Sequence, residues 1–208
     1  MRKLKITQFM TLDGVVQAPG GPTEDRSGRF VHGGWQFTYW DEMMGKVMGD
    51  FMAPPFDLLL GHFTYRIFAA YWPKVTDADP TAAKLNSVKK YVASRKRLKL
   101  AWNNSEQIAG NVVTGIKNLK AQSGPEIQVY GSGNLAQTLI KNGLIDEFQL
   151  FIFPVTIGKG KRLFAGGTRP EGFRLLESRV STTGVIIARY APAGELKTGS
   201  FALDEGKG

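Results

Sequence analysis

The sequence predicts an α/β protein with a mixed, mostly parallel twisted sheet, helices on both faces and a C-terminal antiparallel hairpin. Strand-like and helix-like segments alternate through the middle of the chain, as parallel sheets require. Two final strands, 173–181 and 184–190, flank a Thr182-Thr183-Gly184 turn, which predicts the hairpin. Because neither a repeat nor a linker interrupts the pattern, we expect one domain over 1–208, with 191–208 as a loose tail.

Each element has its own signal. A short alternating strand is followed by a long irregular segment rich in Gly and Pro, which is typical of a functional loop. Apolar residues at helical spacing from Trp40 to Phe51 predict a helix, with Asp41 and Glu42 in its first turn. The predicted strands are 3–10, 56–60, 90–94, 98–102, 126–130 and 146–153, and the further helices begin at His62 or span 80–89, 112–122 and 134–142.

The amino-acid composition excludes several classes of protein and of site chemistry. The chain of 208 residues is 42% hydrophobic, which is ordinary for a globular protein. With no cysteine and only His32 and His62, disulfides, thiolate chemistry and Cys-ligated metals are excluded, and we expect no metal site. The sequence shows neither a membrane-length apolar run nor a signal-peptide pattern, so we expect a cytoplasmic protein. The net charge of +9 indicates an anionic partner.

Three predicted turns at strand ends have the chemistry of a phosphate site. Gly61 opens one helix, Gly131-Ser132-Gly133 opens another, and Ala93-Ser94-Arg95 ends a strand between them; free backbone N–H groups at helix N-termini favour anions. If the strands are parallel, all three turns meet at the carboxyl edge of the sheet, where α/β proteins bind ligands. Gly131-x-Gly133-x-x-Ala136 also fits a loose dinucleotide fingerprint, but it lies too late in the chain for an ordinary Rossmann domain.

The segment 89–99 is strongly basic and leaves alternatives open. It is either a solvated surface, a nucleic-acid-binding module, or a site where Ser94 and Arg95 hold the 2′-phosphate of NADP. No known nucleic-acid-binding motif accompanies it, which disfavours the second alternative. Two apolar features are equally open: Trp35 either stacks on a flat heterocycle or packs in the core, and the strand 148–153 is either core or an interface.

Four motifs occur together in a characteristic order. They are Thr11-Leu12-Asp13-Gly14, Leu59-Leu60-Gly61-x-x-Thr64-Tyr65, Gly131-Ser132-Gly133-x-Leu135, and Gly143–Glu147 leading to Pro154-Val155 and Gly158-x-Gly160-x-x-Leu163-Phe164. Over about residues 3–190 the chain resembles the dihydrofolate-reductase-like superfamily. Within it, the chain is most similar to the C-terminal reductase domain of the bifunctional riboflavin-biosynthesis deaminase–reductase.

The resemblance implies an NADPH-dependent reductase acting on a small molecule, and a homodimer. The implied substrate is 5-amino-6-(5-phosphoribosylamino)uracil, with a dihydrofolate or pterin substrate as the alternative. A hydride passes to a C=O or C=N carbon, and Asp13, or second Asp41, orients the substrate or supplies the proton. The implied cofactor-binding residues are Gly61, His62, Thr64, Ser94, Arg95, Gly131, Ser132, Gly133, Asn134 and Leu135, and the predicted substrate-binding residues are Gly14, Trp35, Tyr65 and Pro154.

The chain also departs from the family. His62 stands where the family often has arginine, which removes a permanent charge and a bidentate donor. The Cys-containing signature of the deaminase half is absent. The irregular segment 18–36 is expected to reshape the substrate pocket.

Overall fold

A computed structural model describes residues 1–76 and 78–201, so the last part of the predicted tail lies outside the described residues. These residues form one sheet in the order β4-β3-β2-β5-β1-β6-β8-β7. The strands are β1 (Leu4–Thr11), β2 (Phe56–Gly61), β3 (Lys90–Ala93), β4 (Ser105–Gln107), β5 (Glu126–Tyr130), β6 (Glu147–Phe153), β7 (Phe173–Val180) and β8 (Ile186–Pro192). The α-helices are α1 (Glu42–Met52), α2 (His62–Tyr71), α3 (Pro80–Ser87), α4 (Val112–Ala121) and α5 (Gly133–Lys141).

The predicted fold class is confirmed. Across the sheet, β4, β3, β2, β5, β1 and β6 each run parallel to the next strand. The last two strands are antiparallel: β8 pairs with β6 and β7 pairs with β8. The predicted hairpin turn closes where the N–H of Gly184 donates to the carbonyl of Ser181 at 3.1 Å, with Gly184 at a φ of +83°. A left-handed φ of this kind is the reason that glycine stands at this position.

Apolar side chains point to both sides of the strands, so both faces of the sheet are buried. Along β2, Leu59 packs on one face with α4 and α5, whereas Leu58 and Leu60 pack on the other. The second face is covered by α1, α2 and α3, which contribute Met44, Tyr65 and Leu85 among others. A sheet buried on both faces needs nearly continuous apolar strands, and β2 and β6 have them.

The strand order opens a crevice at one edge. β5 lies between β1 and β2, so that α2, which follows β2, and α5, which follows β5, cover opposite faces. At such a switch point the two helices diverge from the carboxyl ends of neighbouring strands. The crevice therefore lies between the two Gly-containing turns.

Two details of the predicted strands are wrong. Residues 98–102 form no strand, and β4 comes later, at Ser105–Gln107. Trp102 buries its side chain and Leu98 packs partly buried beside it, but their N–H groups donate to the side chains of Tyr65 and Gln107 rather than to a neighbouring strand. The alternating apolar residues of 98–102 therefore indicated that side chains are buried, but not that the segment pairs with a strand. The second difference is that β8 extends to Pro192, so the predicted tail begins later than 191.

The strand 148–153 belongs to the core. β6 is paired with β1 on one side and with β8 on the other, and Phe148, Phe151 and Phe153 are buried. The alternative that this segment is an interface is therefore wrong. No helix of the described residues is long and apolar enough to cross a membrane.

The basic segment 89–99 is not one continuous surface. Lys90 is fully buried, and its Nζ donates to the carbonyls of Asn86 and Val88 and lies 4.4 Å from the centre of the Trp102 ring. Burial lowers the pKa of Lys90 from 10.5 to about 8. Lys89 pairs with Glu106 at 2.7 Å. The cations from Arg95 onward are exposed.

Candidate active site

The two Gly-containing turns are locked together by a reciprocal pair of hydrogen bonds. The N–H of Gly61 donates to Oγ of Ser132 at 3.0 Å, and the N–H of Ser132 donates to Oγ1 of Thr64 at 3.0 Å. The Ser132 hydroxyl also donates to the carbonyl of Tyr130. Thr64 and Ser132, predicted as cofactor ligands, therefore use their side chains to fix the spacing of the turns.

Both helices present free backbone donors at the crevice. Neither α2 nor α5 has a side-chain cap on its first turn, and the N-cap N–H groups are used in the lock. The next N–H groups, including those of His62, Gly133 and Asn134, have no partner within their helices. Two such N-termini at one switch point form an anion site that suits the pyrophosphate of a dinucleotide.

A buried glutamine fixes the turn after β5. Gly131 and Ser132 both have left-handed φ angles, +55° and +57°, and the bend depends on glycine at the first of them. Nε2 of Gln8 on β1, which is 2% exposed, donates to the Gly131 carbonyl. Gln8 was not among the predicted site residues. The available signal was that Gln8 stands at a position of the alternating strand where Leu4, Ile6 and Met10 are apolar.

Ser94 and Arg95 lie next to this crevice. Ala93 at the end of β3 is paired with Gly61, which brings the following residues to the same edge of the sheet. The Ser94 hydroxyl donates to the Lys96 carbonyl at 2.9 Å and accepts from its N–H, so it shapes the turn. Arg95 is exposed, and the described residues offer it no ion pair. Its guanidinium remains available to an anion.

Asp13 connects the loops that follow β1 and β6. Its carboxylate accepts hydrogen bonds from Thr11 Oγ1 at 2.5 Å and from the N–H groups of Gly158 and Ile157 at 2.7 and 3.2 Å, and it pairs with Arg162. These bonds, led by that from Thr11, lower its pKa from 3.8 to about 2. An acid held ionised in this way is poorly suited to donate a proton at neutral pH.

Asp41 has a similar structural position. Its carboxylate accepts from the Met44 N–H at 2.9 Å, which caps α1, and from the N–H and hydroxyl of Thr182 in the hairpin turn. The bond from Met44, followed by that from the Thr182 side chain, lowers the pKa of Asp41. The carboxylate therefore joins α1 to the β7–β8 turn and does not extend into the crevice between α2 and α5.

The segment 18–36 is an ordered flap on the loop that follows β6. Ala18 and Phe30 pack with Val15 in a small apolar cluster. Oε1 of Gln17 accepts from the Lys161 N–H at 3.1 Å, and Nζ of Lys161 pairs with Asp25 at 2.6 Å. Lys161 also lies 5.7 Å from the centre of the Phe63 ring at the start of α2. The flap and the two helix N-termini therefore border one region.

A cavity of about 350 Å³ opens between this flap and the end of β6. Trp35 forms part of its wall, and the Trp35 ring also packs edge-on against Phe153 while its indole N–H donates to the Gln17 carbonyl at 2.8 Å. Trp35 is thus both a core residue and a pocket residue. The cavity is lined by His32, Gly33, Gly34, Trp35, Thr38, Val155, Thr156 and Ile157.

The other predicted site residues divide into two groups. Pro154 directly follows β6 and precedes Val155 of the cavity wall, and Gly14 lies in the loop after β1, next to Arg162. Tyr65 is 4% exposed, and its hydroxyl accepts from the Trp102 N–H, so the predicted substrate contact through Tyr65 is wrong. The Leu135 side chain is also buried in the core, which leaves only its backbone N–H for a ligand.

The strand order and the two turns give the chain a dihydrofolate-reductase-like fold. A sequence model of the RibD C-terminal domain family matches residues 2–187, and the chain belongs to that family. It is 30% identical over 193 residues to the uncharacterized protein YyaP of Bacillus subtilis (strain 168), covering 91% of this chain and 94% of that protein.

Solved structures agree on the fold. A riboflavin biosynthesis protein of Shewanella sp. PV-4 superposes with a TM-score of 0.65 at 19% identity, covering 91% of this chain and 98% of that one. A pyrimidine reductase-like protein of Corynebacterium diphtheriae gives 0.61 at 14% identity, covering 93% of each chain. The deaminase/5-amino-6-(5-phosphoribosylamino)uracil reductase of Thermotoga maritima gives 0.59 at 14% identity, covering 92% of this chain and 57% of that one.

Replacing Ser132 tests the lock between the turns. Ser132→Ala leaves the partly buried N–H of Gly61 without its acceptor, so the free energy of unfolding should fall by about 1 kcal/mol in urea denaturation. Thr138→Ala on the same helix is the control, because that hydroxyl bonds only to the Asn134 carbonyl within α5. Equal stability of the two variants would contradict the lock.

Asp13→Asn tests the connection between the β1 and β6 loops. Because the folded pKa is depressed, the stabilisation is complete above pH 3.8 and is lost as the pH falls through about 2. The variant should be less stable than the native protein by about 1–2 kcal/mol at pH 7, and the difference should shrink over that acid range. Asp50→Asn, at an exposed carboxylate on α1, should have little effect at either pH.

Proposed function

We propose that this protein is an NADPH-dependent reductase that acts on a pyrimidine- or pterin-type substrate. The observation that carries the proposal is the meeting of two uncapped helix N-termini, α2 and α5, at the switch point of the sheet. Membership of the RibD C-terminal domain family supports the same conclusion. When bound, NADPH supplies the hydride that, with a proton, reduces a C=O to an alcohol or a C=N to an amine.

The backbone of both turns would hold the cofactor pyrophosphate. The N–H groups of His62, Gly133 and Asn134 are the donors, and the bonds through Ser132 and Thr64 keep the two helix ends at a fixed separation. His62 adds a polar, partly exposed side chain at the rim. The groups that would contact the pyrophosphate are thus mostly backbone, and the Ser132 and Thr64 side chains hold them in position.

Arg95 would distinguish NADPH from NADH. It follows β3, the strand next to β2, and its guanidinium is exposed without an ion pair among the described residues. Arginine suits the 2′-phosphate because its planar fork makes charge-assisted bonds to two oxygens. The turn shaped by Ser94 supports Arg95 at the edge of the crevice.

The cavity beside Trp35 would receive the substrate ring. The Trp35 indole and the backbone of 155–157 provide a flat wall with polar groups, which suits a heterocycle. Arg162 and Lys161 on the adjoining loop are paired with Asp13 and Asp25, so the preference for the phosphoribosyl pyrimidine over dihydrofolate rests on membership of the RibD C-terminal domain family. Asp13 keeps the loop after β6 in position as an ionised carboxylate, and Asp41 does the same for the start of α1 and the β7–β8 turn.

The nucleic-acid alternative has less support. Lys90 is buried and Lys89 is paired with Glu106, so the basic segment loses part of the continuous positive surface that oligonucleotide binding requires. The remaining exposed cations begin at Arg95.

Thermal shift with three ligands tests the cofactor proposal. NADPH should raise the melting temperature more than NADH, and Arg95→Ala should weaken NADPH binding by about tenfold or more and remove the preference. Arg97→Ala, two positions away, is the matched control and should keep the preference. Equal shifts with both cofactors would contradict the proposal, and a salt-sensitive shift with a short oligonucleotide alone would favour nucleic-acid binding.

Steady-state kinetics test the substrate proposal. NADPH should be oxidised with 5-amino-6-(5-phosphoribosylamino)uracil, and more slowly with dihydrofolate. Trp35→Leu should raise KM for the pyrimidine by about tenfold because the aromatic wall is lost, with the NADPH thermal shift unchanged. Trp40→Leu, which removes a half-exposed indole outside the cavity, is the control. Oxidation with neither substrate would overturn the substrate class and leave the cofactor test intact.

A further inference from the structure

The proposed reduction needs a proton as well as a hydride, and neither predicted acid is placed to supply it. When a hydride adds to the carbon of a C=O group, the electron pair of the broken π-bond moves to the oxygen, which must then take up a proton. The Asp13 carboxylate is held ionised by its bonds to Thr11 and to the N–H groups of Ile157 and Gly158. Asp41 is bonded to α1 and to the β7–β8 turn. The donor is therefore another group.

The cavity proposed for the substrate ring has one side chain in its wall that can exchange a proton near neutral pH. Among the described residues that line the cavity, this side chain is the imidazole of His32, and the others are glycines, threonines and apolar or aromatic residues. Neither ring nitrogen of His32 has a hydrogen-bond partner within 1–76 and 78–201. His32 is also exposed, so water can return a proton to it.

The flap holds His32 at a defined place beside the cavity. Phe30, which is 5% exposed, packs its ring edge-on against the imidazole, with 6.0 Å between the ring centres. On the other side, Gly33 lies so close to Gly21 that a Cβ on Gly33 would be 2.4 Å from the Gly21 carbonyl oxygen. The residues before and after His32 are thus both packed within the flap, which fixes the position from which the imidazole projects.

The cavity adjoins the region where the cofactor would bind. Its wall 155–157 continues into Lys161, whose carbonyl accepts from the Val16 N–H at 2.8 Å. The Val16 side chain lies 3.6 Å from the place that a Cβ on Gly133 would occupy at the start of α5. Lys161 also faces the ring of Phe63 at the start of α2. The same loop therefore borders both the cavity and the two helix N-termini.

The charged residues of the surrounding segments lie outside the cavity wall. Asp25 of the flap pairs with Lys161 at 2.6 Å, and Asp13 of the loop after β1 pairs with Arg162 at 3.3 Å. The other charged residues of the flap, of the segment before α1 and of 154–162 are Glu24, Arg26, Arg29, Asp41 and Lys159. A ring bound in the cavity therefore meets the His32 imidazole as its titratable neighbour.

We propose that His32 is the proton donor of the reaction, an inference that rests on the proposed function. As an imidazolium, His32 gives its N–H proton to the oxygen of the C=O group, or to the nitrogen of a C=N group, while the hydride that NADPH supplies bonds to the carbon and NADP⁺ remains. The ring nitrogen keeps the electron pair of the broken N–H bond. The neutral imidazole then takes a proton from water, which restores the donor.

The pH dependence of turnover tests this role. With whichever of the two proposed substrates oxidises NADPH, kcat of the native chain should fall about tenfold per pH unit on the alkaline side of a titration between about pH 5 and 8. His32→Gln should lower kcat about a hundredfold, abolish that titration and leave KM within about twofold. Imidazole added to the variant should restore part of the activity. Arg29→Gln, which removes an exposed cation of the same flap outside the cavity wall, is the matched control and should keep the native profile.

Proton NMR tests the position of His32 without turnover. The chain has two histidines, so His32→Gln assigns both Cε1–H signals by removing one of them. The substrate added without NADPH should shift the His32 signal, because the ring binds beside it. NADP⁺ added alone should instead shift the signal of His62 at the start of α2.

These outcomes separate the donor from the proposed function. A folded His32→Gln variant that keeps the native pH profile, a raised KM at unchanged kcat, or a His32 signal that the substrate does not move would overturn the role of His32, while NADPH oxidation by the native chain would still support the reductase. A native chain that oxidises NADPH with neither substrate would overturn the substrate class and this inference together, and the His62 signal would still report cofactor binding.

Discussion

The position of β5 between β1 and β2 is the constraint on which the candidate site depends. It sends α2 and α5 to opposite faces of the sheet while their N-termini remain neighbours. The N–H groups of Gly61 and Ser132 then find their acceptors across the crevice rather than within their own helices. Each turn supplies a side-chain acceptor for one backbone N–H of the other turn. The next N–H groups along each helix stay free for a ligand.

The second wall of the site is built from loops, and ionised carboxylates give those loops one geometry. Asp13 accepts two backbone N–H groups of the loop after β6, and Asp25 pairs with Lys161 of the same loop. Because these bonds are charge-assisted, they offset the entropy that long irregular segments lose when they become ordered. The segment 18–36 can therefore form a defined wall although it contains no long helix or strand.

The parallel and the antiparallel strands of the sheet differ in what surrounds them. Its parallel strands bring the carboxyl ends and the helix N-termini to one edge, which is where the reductase proposal rests. Its antiparallel pair, β8 and β7, adds no helix and leaves an apolar face open. The part of the sheet that carries the candidate site is thus distinct from its antiparallel end.

The sequence by itself determined the fold class, most elements and the location of the two Gly turns. These follow from local signals: alternation in β5, helical spacing in α1, and glycine where φ must be positive at Gly131 and Gly184. These local signals do not show which groups accept the hydrogen bonds of a segment's backbone. Leu98–Trp102 alternates like a strand, yet its backbone donors bond to the side chains of Gln107 and Tyr65.

Only the tertiary structure decided what the polar residues do. Thr64, Ser132, Asp13 and Asp41 are residue types that suit ligand binding or acid chemistry, but each is committed to a structural bond with a distant segment. Trp35 and Tyr65 are both aromatic, yet one reaches the cavity and the other is buried. The residue types determine which side chains can form hydrogen bonds. Which of those bonds form depends on the chain segments that folding brings within reach of each other.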